Sequence, residues 1–219
     1  DVTSKVSSIS ITRGKNRDLD RFNAGQLSVN LNNEDRSFDP NYSAATYRSL
    51  VIPRRPIRIT TNSVRQFTVI IDDWNFDYTP EGASKASISA TDDFTLLARQ
   101  FVSGGSAVPQ LSGARVSAVL DQQTVAWPTG ARNIDAGSSF LGADVFEGNA
   151  LEYLQTVERS EQGQLFIAKN GDLTFRGRLD STPTTASVKT FADDGSGIPF
   201  RTVLVNYGTE LLINSVTVT

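Results

Sequence analysis

The residues Q-L-S-V-N-L-N at positions 26 to 32 alternate strictly between polar and apolar side chains. This period of two predicts a half-buried β-strand with Leu27, Val29 and Leu31 on its buried face. A second alternating run, residues 6–11, precedes it across a charged segment, so we expect the two runs to pair as antiparallel neighbours. The chain is therefore expected to begin with a β-sheet.

Three more alternating runs continue the β pattern through the first hundred residues. They predict strands over residues 54–60, 67–78 and 85–91. In the longest run, the adjacent acids Asp72 and Asp73 predict a bulge or a crossing point.

Glycine and proline then mark the clearest break in the pattern. A helix is predicted over residues 94–101, with Thr91 or Asp92 as its cap. The stretch G-G-S at 104–106, followed by Pro109, predicts a linker, so we place a boundary near residue 105.

Two helices and one hairpin are predicted beyond this boundary. The first helix covers residues 114–123 with Ser112 as its N-cap, and the second covers 149–159 with Gly163 as its C-terminal stop. The hairpin covers residues 164–176, and its N-G pair at 170–171 predicts a type I′ turn. We expect the second helix and the hairpin to share a small core made of Leu151, Leu154, Val157, Leu165, Ile167, Leu173 and Phe175.

Composition limits the chemistry that the chain can perform. It has 219 residues and a net charge of −3, with neither cysteine nor histidine. These absences exclude Ser–His–Asp and Cys–His catalysis and ordinary zinc sites. No long apolar run is present, so we expect no membrane span. Nucleic acid is not expected as a specific partner; Arg54, Arg55 and Arg58 could contact DNA, but a solvated face or an ion-pair patch between subunits is preferred.

The two ends of the sequence suggest a piece of a longer polypeptide. The chain contains no methionine, and its first residues do not form a signal peptide. Its last residues, 211–219, follow the alternating pattern of a strand. We therefore expect further domains beyond Thr219.

The order of these motifs resembles the N-terminal part of the minor tail or hub proteins of long-tailed bacteriophages. The pattern is strand, R-G, L-D-R-F-x-A-G, strand, N-x-D-R-x-F-D-P, followed by matching segments at 53–59, 71–74 and 90–98. Two later motifs, G-N-A-L-x-x-L-Q and E-x-G-x-L-F-x-x-x-x-G-x-L-T-F-R, also recur in that family. The residues that carry the first part are Arg13-Gly14, Leu19-Asp20-Arg21-Phe22, Ala24-Gly25, Asn33, Asp35-Arg36 and Phe38-Asp39-Pro40.

The expected fold is mainly β, a barrel or sandwich with a smaller α+β insertion. We expect an N-terminal β-barrel domain over residues 1–103, which the resemblance implies to be tail-tube-like. An α+β insertion domain of two helices and one hairpin should cover residues 106–180. Strands over residues 186–219 should rejoin the barrel or begin a second one.

The resemblance also implies a structural role in a tail tip or baseplate hub. It implies a homotrimeric ring below the tail tube, which connects the tube to the tip and lines the channel for DNA or the tape-measure protein. The implied partners are further copies of the chain, the distal tail protein, the tape-measure protein and other tail-tip proteins, with DNA only in transit. The implied location is the virion, after assembly in the host cytoplasm. No enzymatic activity, cofactor or metal ion is expected.

Subunit contacts are expected where charged segments flank the strands. Long unpaired sheet edges are best explained if neighbouring subunits complete the sheet. The candidate contact residues are Arg13, Arg17, Asp20, Arg21, Asp35, Arg36, Phe38, Arg54 and Arg55.

Two other classes of function stay open at this point. The chain could be the binding module of an adhesin or receptor-binding protein, in which Trp74, Phe76 and Tyr78 on one strand face could stack on a sugar. It could also be the non-catalytic scaffold of a tail-associated cell-wall hydrolase.

Three pairs of acids invite a chemical interpretation, and each has a simpler structural one. The pair Asp193-Asp194 could bind calcium, but it lacks the ligand spacing of a calcium loop, so a plain turn is preferred. The pairs at 72–73 and 92–93 could form a two-carboxylate hydrolase site. We interpret the first as a strand break and the second as a helix cap.

Overall fold

The computed structural model describes residues 1–16, 20–79, 83–179 and 190–203. The chain divides into two compact units, Asp1–Thr182 and Pro183–Thr219. In the second unit, Phe191 and Ile198 form one β-bridge. The strands predicted over residues 186–191 and 213–219 lie outside the described residues, except at positions 190 and 191.

Five strands at the N-terminal end of the chain form one antiparallel sheet, which curls into a half barrel. The predicted pairing of the first two runs is confirmed, because Ile9 lies opposite Val29. The predicted mainly β fold is confirmed as well. The strands are β1 (Val6–Gly14), β2 (Asn23–Asn32), β3 (Pro56–Thr61), β4 (Val64–Asp77) and β5 (Lys85–Thr91), in the sheet order β1-β2-β5-β4-β3.

The inner face of this sheet carries the first hydrophobic core. Leu27, Val29 and Leu31 are each at most 2% exposed, as the alternation predicts. The predicted bulge is also present, because the register between β4 and β5 shifts between Ile71 and Asp73. Sequence periodicity thus accounts for the strands, and the adjacent acids at 72–73 account for the bulge.

The rest of the first unit is built from helices and short strands. Strand β6 pairs with β10 and β7 with β9, while β11 and β12 form a hairpin that takes β8 as a parallel neighbour. The elements are α1 (Phe94–Leu97), β6 (Phe101–Ala107), β7 (Gln110–Leu111), α2 (Ser112–Leu120), β8 (Arg132–Ile134), β9 (Phe140–Leu141), β10 (Asp144–Asn149), α3 (Ala150–Glu161), β11 (Gln164–Ile167) and β12 (Leu173–Arg176).

A second hydrophobic core lies among these elements. Val116 and Leu120 of α2, Leu154 of α3 and Phe175 of β12 are all fully buried. The core predicted for the helix and the hairpin is confirmed, with Leu151 half-buried at its margin. None of the helices in the described residues is both long and apolar enough to cross a membrane.

The predicted linker is wrong, and the predicted first helix is confirmed only at its start, Phe94. The helix ends at Leu97 instead of 101, and the G-G-S stretch at 104–106 lies inside strand β6. Gly104 has a φ of +75° at the point where the register of β6 against β10 shifts. Glycine here permits a bulge within a strand, a role that its sequence alone does not distinguish from a linker. The domain boundary near residue 105 stays a prediction.

The predicted helix ends need two corrections. Ser112 is not an N-cap, because it is the first residue of α2 and its hydroxyl donates to Glu161 (2.7 Å). Helix α3 begins at Ala150, one residue after the predicted start, and the side chain of Asn149 accepts from its first turn as the N-cap. Its left-handed C-terminal residue is Gln162, with a φ of +55°, and not Gly163.

The hairpin is confirmed, but its turn is not type I′. Gly171 has a φ of +95°, whereas Asn170 is not left-handed. The N–H of Gly171 donates to the carbonyl of Ala168 (2.9 Å), and the N–H of Ala168 donates to that of Asp172 (2.8 Å). The loop therefore has three residues, with the left-handed glycine at its end, which is the next most common hairpin geometry.

The hairpin tip also joins the half barrel to the second core. Three side chains of the sheet donate hydrogen bonds to main-chain oxygens of the hairpin, so the contact does not depend on the side chains of the tip. The bonds run from Arg65 to Asn170 (3.0 Å), from Thr68 to Lys169 (3.1 Å) and from Arg13 to Ile167 (3.2 Å).

Candidate assembly surfaces

The half barrel is open between its two edge strands, β1 and β3. The opening forms a groove of about 540 Å³ with mostly aliphatic walls. Ile9 points to the same side as the buried Val29 opposite it, yet it is 46% exposed. Part of the first core is therefore uncovered. The apolar lining consists of Val6, Ile9, Val29, Leu31, Ile57, Ile59 and Ile88.

Neither edge strand has a second neighbour within the described part of the chain. Strand β1 has nine residues and β3 has six. Natural proteins seldom leave long edges open, because a row of unpaired N–H and C=O groups is a template for another chain. An apolar groove between two open edges is typical of a surface that another polypeptide completes.

The outer face of the same sheet carries rows of small polar side chains together with some charged ones, such as Asp73 opposite Ser89 and Lys85 opposite Asp77. The side chain of Asn30 donates to the hydroxyl of Ser8 (2.9 Å). Hydroxyl and amide groups hold water but carry no charge, so the serine and asparagine rows themselves exert little long-range attraction on a polyanion. The strand register places Ser8, Asn30, Ser87 and Asn75 in one row across four strands, and Ser10, Ser28 and Ser89 in the next.

A second apolar surface lies on the strand pairs β6–β10 and β7–β9, away from the buried core. Leu111 and Phe140 lie opposite each other in the register, and Val145 lies opposite Ser106. Exposed apolar side chains on one element indicate a protein contact. We call this surface the ribbon face; it consists of Phe101 (64% exposed), Val108 (70%), Leu111 (39%), Phe140 (70%) and Val145 (60%).

Arg115 supports the ribbon from its buried side. It is 2% exposed, and it donates to the carbonyls of Val108 (3.3 Å) and Gly142 (2.5 Å), one on each side of the ribbon. It also donates to the hydroxyl of Tyr153 (3.1 Å), which donates to Asp144 (2.7 Å). The hydrogen bond from Tyr153 lowers the pKa of the Asp144 carboxyl, so this acid stays ionised at the edge of the ribbon face.

The candidate contact residues near the N-terminus have different environments. Arg13 is engaged within the protein, where it donates to main-chain oxygens on β4 and β11 (3.1 and 3.2 Å). Arg21 is exposed and donates to a glutamine of α3 (3.1 Å). Asp20 is exposed, and Arg17 lies outside the described residues. Their role in subunit contacts stays a prediction.

The loop over residues 33–40 is held by two ion pairs. Asp35 accepts a hydrogen bond from Lys5 (2.5 Å), which lowers the pKa of the Asp35 carboxyl to about 2. Arg36, with a φ of +58°, pairs with Asp39 (2.5 Å). Both candidate residues of this loop, Asp35 and Arg36, therefore already have partners within the chain.

Phe38, the third candidate in this loop, is 1% exposed. Its ring stacks on Tyr47 (4.9 Å between ring centres) and lies 6.0 Å from Trp74. The Phe38 side chain belongs to the core, so only the loop around it can meet a partner. From Trp74, stacked rings continue to Phe76 and Tyr78 at 6.1 Å intervals. Stacking of these rings on one another favours packing over sugar binding.

Arg54 and Arg55 precede β3, one of the two strands that border the groove. Arg54 lies 3.7 Å from the Asp72 carboxylate, and Arg55 donates a long hydrogen bond to a main-chain oxygen (3.5 Å). Arg58, on β3 itself, has no ion pair within the described residues. We call residues 51–71 the basic strip, because they include four arginines and neither aspartate nor glutamate.

Glu161, at the end of α3, is fully buried. It accepts hydrogen bonds from the Ser112 hydroxyl (2.7 Å) and from the N–H groups of Ser138 (2.9 Å), Ser139 (2.7 Å) and Arg178 (3.2 Å). Burial acts to raise the pKa of Glu161, but these hydrogen bonds outweigh it and lower the pKa to about 2. The ionised carboxylate therefore ties the start of α2 and two connecting segments to α3.

Asp92 is the buried acid of the pair at 92–93. It accepts from the N–H of Gly25 on β2 (2.7 Å) and from the N–H of Phe94 in α1 (3.1 Å). Burial raises its pKa to about 6 against the effect of these hydrogen bonds. Asp72 is engaged elsewhere, by the hydroxyl of Thr91 (2.7 Å). The contact of Asp92 with the first turn of α1 matches the preferred role as a helix cap, whereas strand β4 continues through residues 72–73 with a bulge and is not broken there.

The described residues contain no cluster of three acidic side chains of the kind that a metal site requires. In the second unit, Asp194 accepts hydrogen bonds from the N–H (2.9 Å) and the hydroxyl (2.6 Å) of Ser196. This is the local hydrogen bonding of a turn.

Sequence analysis missed the ribbon face completely. Its strands are short, and glycines interrupt β6, so the alternation is too brief to stand out. The one usable signal is the run D-V-F-E at 144–147, in which Phe146 is buried and Val145 is exposed.

Comparison with known proteins identifies the fold. No protein-family model matches the sequence, and no curated protein matches it. Among solved structures, the 43 kDa tail protein of prophage MuSo2 from Shewanella oneidensis aligns with a TM-score of 0.53 at 17% identity, over 85% of this chain and 58% of that one. A tail protein from Neisseria meningitidis MC58 aligns with a TM-score of 0.51 at 12% identity, over 76% of this chain and 49% of that one.

The chain thus spans between 49% and 58% of the length of these two tail proteins. At such low identity the likeness concerns the fold. The resemblance noted from the sequence motifs and the structural comparison agree: this chain has the fold of phage tail proteins.

Proposed function

We propose that this chain is a structural component of a bacteriophage tail tip or baseplate hub. Its copies form a homotrimeric ring below the tail tube, which connects the tube to the tip. The open half barrel carries the proposal, because its two unpaired edges flank a groove of about 540 Å³ where the core is uncovered. In a closed ring of identical subunits, each copy can cover the open side of its neighbour.

The fold likeness supports a role in a tail, and the order of sequence motifs supports the hub position. The proposed partners are the distal tail protein, the tape-measure protein and other tail-tip proteins. The proposed location is the tail tip of the virion, after assembly in the host cytoplasm.

The outer face of the sheet supports a position beside a channel. Its rows of serine and asparagine side chains include Ser28 and Asn30 in the middle of the sheet. Where the wall consists of these serine and asparagine rows, DNA or an extended protein can pass without being bound, since tight binding of DNA requires lysine and arginine.

A structural role is also favoured over catalysis by the residues available. Cysteine and histidine are absent, and the buried acids Asp92 and Glu161 are engaged in hydrogen bonds with the main chain. These acids hold segments together and do not line a cavity with a nucleophile.

Sedimentation velocity at rising protein concentration, with class averages of the largest species, tests the proposal. We expect particles with three-fold symmetry and a central channel. Ile9→Lys places a charge in the groove and should dissociate them, because a charge cannot be buried against apolar groups without a partner. Val64→Lys is the matched control, since Val64 is 49% exposed on β4 and does not line the groove. A monomer at every concentration, or dissociation by both variants, would contradict the proposal.

A further inference from the structure

We propose that the ribbon face of one copy docks into the groove of the next copy. This inference rests on the proposed ring and names the two surfaces that would form it. The ring by itself requires only that copies meet, whereas the inference states which side chains do so.

The first argument is that the chain has two uncovered apolar surfaces of complementary kinds. The groove is a depression of about 540 Å³ with aliphatic walls. On the ribbon face, Phe140 and Val108 project with 70% of their surface exposed. Cavities of roughly 300–1,000 Å³ accept several apolar groups. Side chains of the ribbon face can therefore fill the groove and cover Ile9.

The second argument is charge. The ribbon strands, residues 101–111 and 140–149, contain Asp144 and Glu147 and no lysine or arginine. Glu147 lies two residues from Val145 on β10, so both side chains point to the same exposed face. Of the four arginines of the basic strip, Arg58 lines the groove, whose lining also includes Asp1. Opposite charges at the rims would orient the apolar contact.

The third argument is that the ribbon is held in shape before any contact forms. Arg115 bonds both sides of the ribbon at the break between its two strand pairs (3.3 and 2.5 Å). A surface fixed in advance loses little conformational freedom on docking. The groove is likewise formed by strands that are paired within the sheet.

The fourth argument concerns symmetry. Ribbon face and groove are different surfaces of one chain, so the contact is heterologous, and each copy uses its ribbon on one neighbour and its groove on the other. Heterologous contacts give rings when the rotation closes. The inferred contact is therefore of the kind that a trimer requires.

A disulfide experiment tests the contact directly, because the chain has no cysteine of its own. One preparation carries Ile59→Cys in the groove, and the other carries Phe140→Cys on the ribbon face. The two are mixed and oxidised with copper–phenanthroline. We expect a covalent dimer in the mixture and none in either preparation alone, since disulfides form only when the two Cα atoms lie within about 7 Å. The matched control mixes Phe140→Cys with Val64→Cys, which lies outside the groove lining.

A charge exchange provides a second test that leaves the apolar residues intact. Arg58→Glu and Glu147→Arg should each weaken self-association about tenfold, because each one places like charges opposite one another. The double variant should recover most of the lost self-association. Lys85→Glu is the control, as an exposed charge on β5 outside the groove lining.

The outcomes separate the inference from the proposed ring. If rings form, but neither the cross-link nor the charge rescue is seen, the inference is wrong and the ring stands. If the chain never assembles, both are wrong. A cross-link in the Phe140→Cys and Ile59→Cys mixture, absent from the Val64→Cys control, supports the inference.

Discussion

In the curled sheet, burial follows the alternation of neighbouring strands, and one side of the core stays open at the groove. In the second core, buried side chains come from helices, a hairpin and the ribbon, and buried polar groups tie the connecting segments to them. Glu161 and Arg115 are examples, at 0% and 2% exposure. The core of the sheet is thus left open at the groove within the described residues, whereas the second core is closed by hydrogen bonds from within.

This difference predicts where the molecule is sensitive. In the sheet, an apolar truncation removes contacts but leaves few polar groups unsatisfied. In the second core, the loss of one carboxylate leaves several buried donors without acceptors, which costs more than the bond itself contributes. The variants below test this contrast, beginning with the largest expected effect.

Glu161→Ala should lower the free energy of unfolding by about 4 kcal/mol, because the Ser112 hydroxyl and three main-chain N–H groups lose their acceptor. Urea denaturation followed by circular dichroism measures the loss. Glu152→Ala on the exposed side of the same helix is the control and should cost less than about 1 kcal/mol. Equal effects of the two changes would show that the hydrogen bonds of Glu161, including those to residues 138–139, do not stabilise the fold.

The same carboxylate predicts that the free energy of unfolding decreases at acid pH. The folded pKa of Glu161 is about 2, below the ordinary 4.5, so its contribution is complete above pH 4.5 and is lost as the pH falls towards 2. The loss should amount to about 3 kcal/mol in the wild type and should be absent in Glu161→Ala. Urea titrations at several pH values measure it.

Leu31→Ala in the sheet and Leu154→Ala in the second core should each cost about 3 kcal/mol, since both side chains are fully buried. The chain has two tryptophans, with Trp74 beside the first core and Trp127 in the second. In a Trp127→Phe or Trp74→Phe background, fluorescence follows one core at a time. We expect each truncation to shift both signals equally, because β2 and the hairpin join the cores. If the unfolding transition shifted for only one of the two tryptophans, the two cores would unfold independently.

Asp92 lies where the two cores meet and should give the opposite pH dependence. Its folded pKa is about 6, above the ordinary 3.8, so the folded state retains a proton that the unfolded state has lost. Stability should therefore fall by about 2–3 kcal/mol as the pH rises from 4 to 6 and then level off. In Asp92→Asn this part of the pH dependence should disappear. An unchanged profile in the variant would assign the dependence to another group.

Asn149→Ala should produce the smallest loss, about 1 kcal/mol, through the missing N-cap of α3. Thermal unfolding measures it as a drop in Tm of a few degrees. Thr156→Ala on the exposed face of α3 is the control and should leave Tm nearly unchanged. The sheet has no helix end to lose, so only the second core offers this kind of sensitivity.

The sheet could be predicted because its information is local. A period of two at Leu27, Val29 and Leu31 determines which side is buried, and the acids at 72–73 mark the bulge. Helix α3 and the hairpin were also predictable, from the apolar stripe of Leu151, Leu154 and Val157 and from two short alternating runs. Each of these signals lies within about a dozen residues.

The missed features depend on residues far apart in the sequence. Strands β6 and β10 pair although a helix and several loops separate them, and no short window shows this pairing. Glu161 follows a polar stretch of α3 and resembles any exposed glutamate until residues 138–139 are placed beside it. The same holds for Ser112, whose hydroxyl is used by that glutamate instead of by a helix end.

The contact between the hairpin tip and the sheet has a consequence for sequence variation. Its three donors are the side chains of Arg13, Arg65 and Thr68, and all three acceptors are main-chain oxygens. Every residue type provides a main-chain oxygen, so mutation at positions 169 and 170 leaves the acceptors in place. Selection should therefore act on one side only. Among related chains, we expect the three donor residues to be conserved and the residues at positions 169 and 170 to vary. Gly171 should be conserved because of its left-handed backbone.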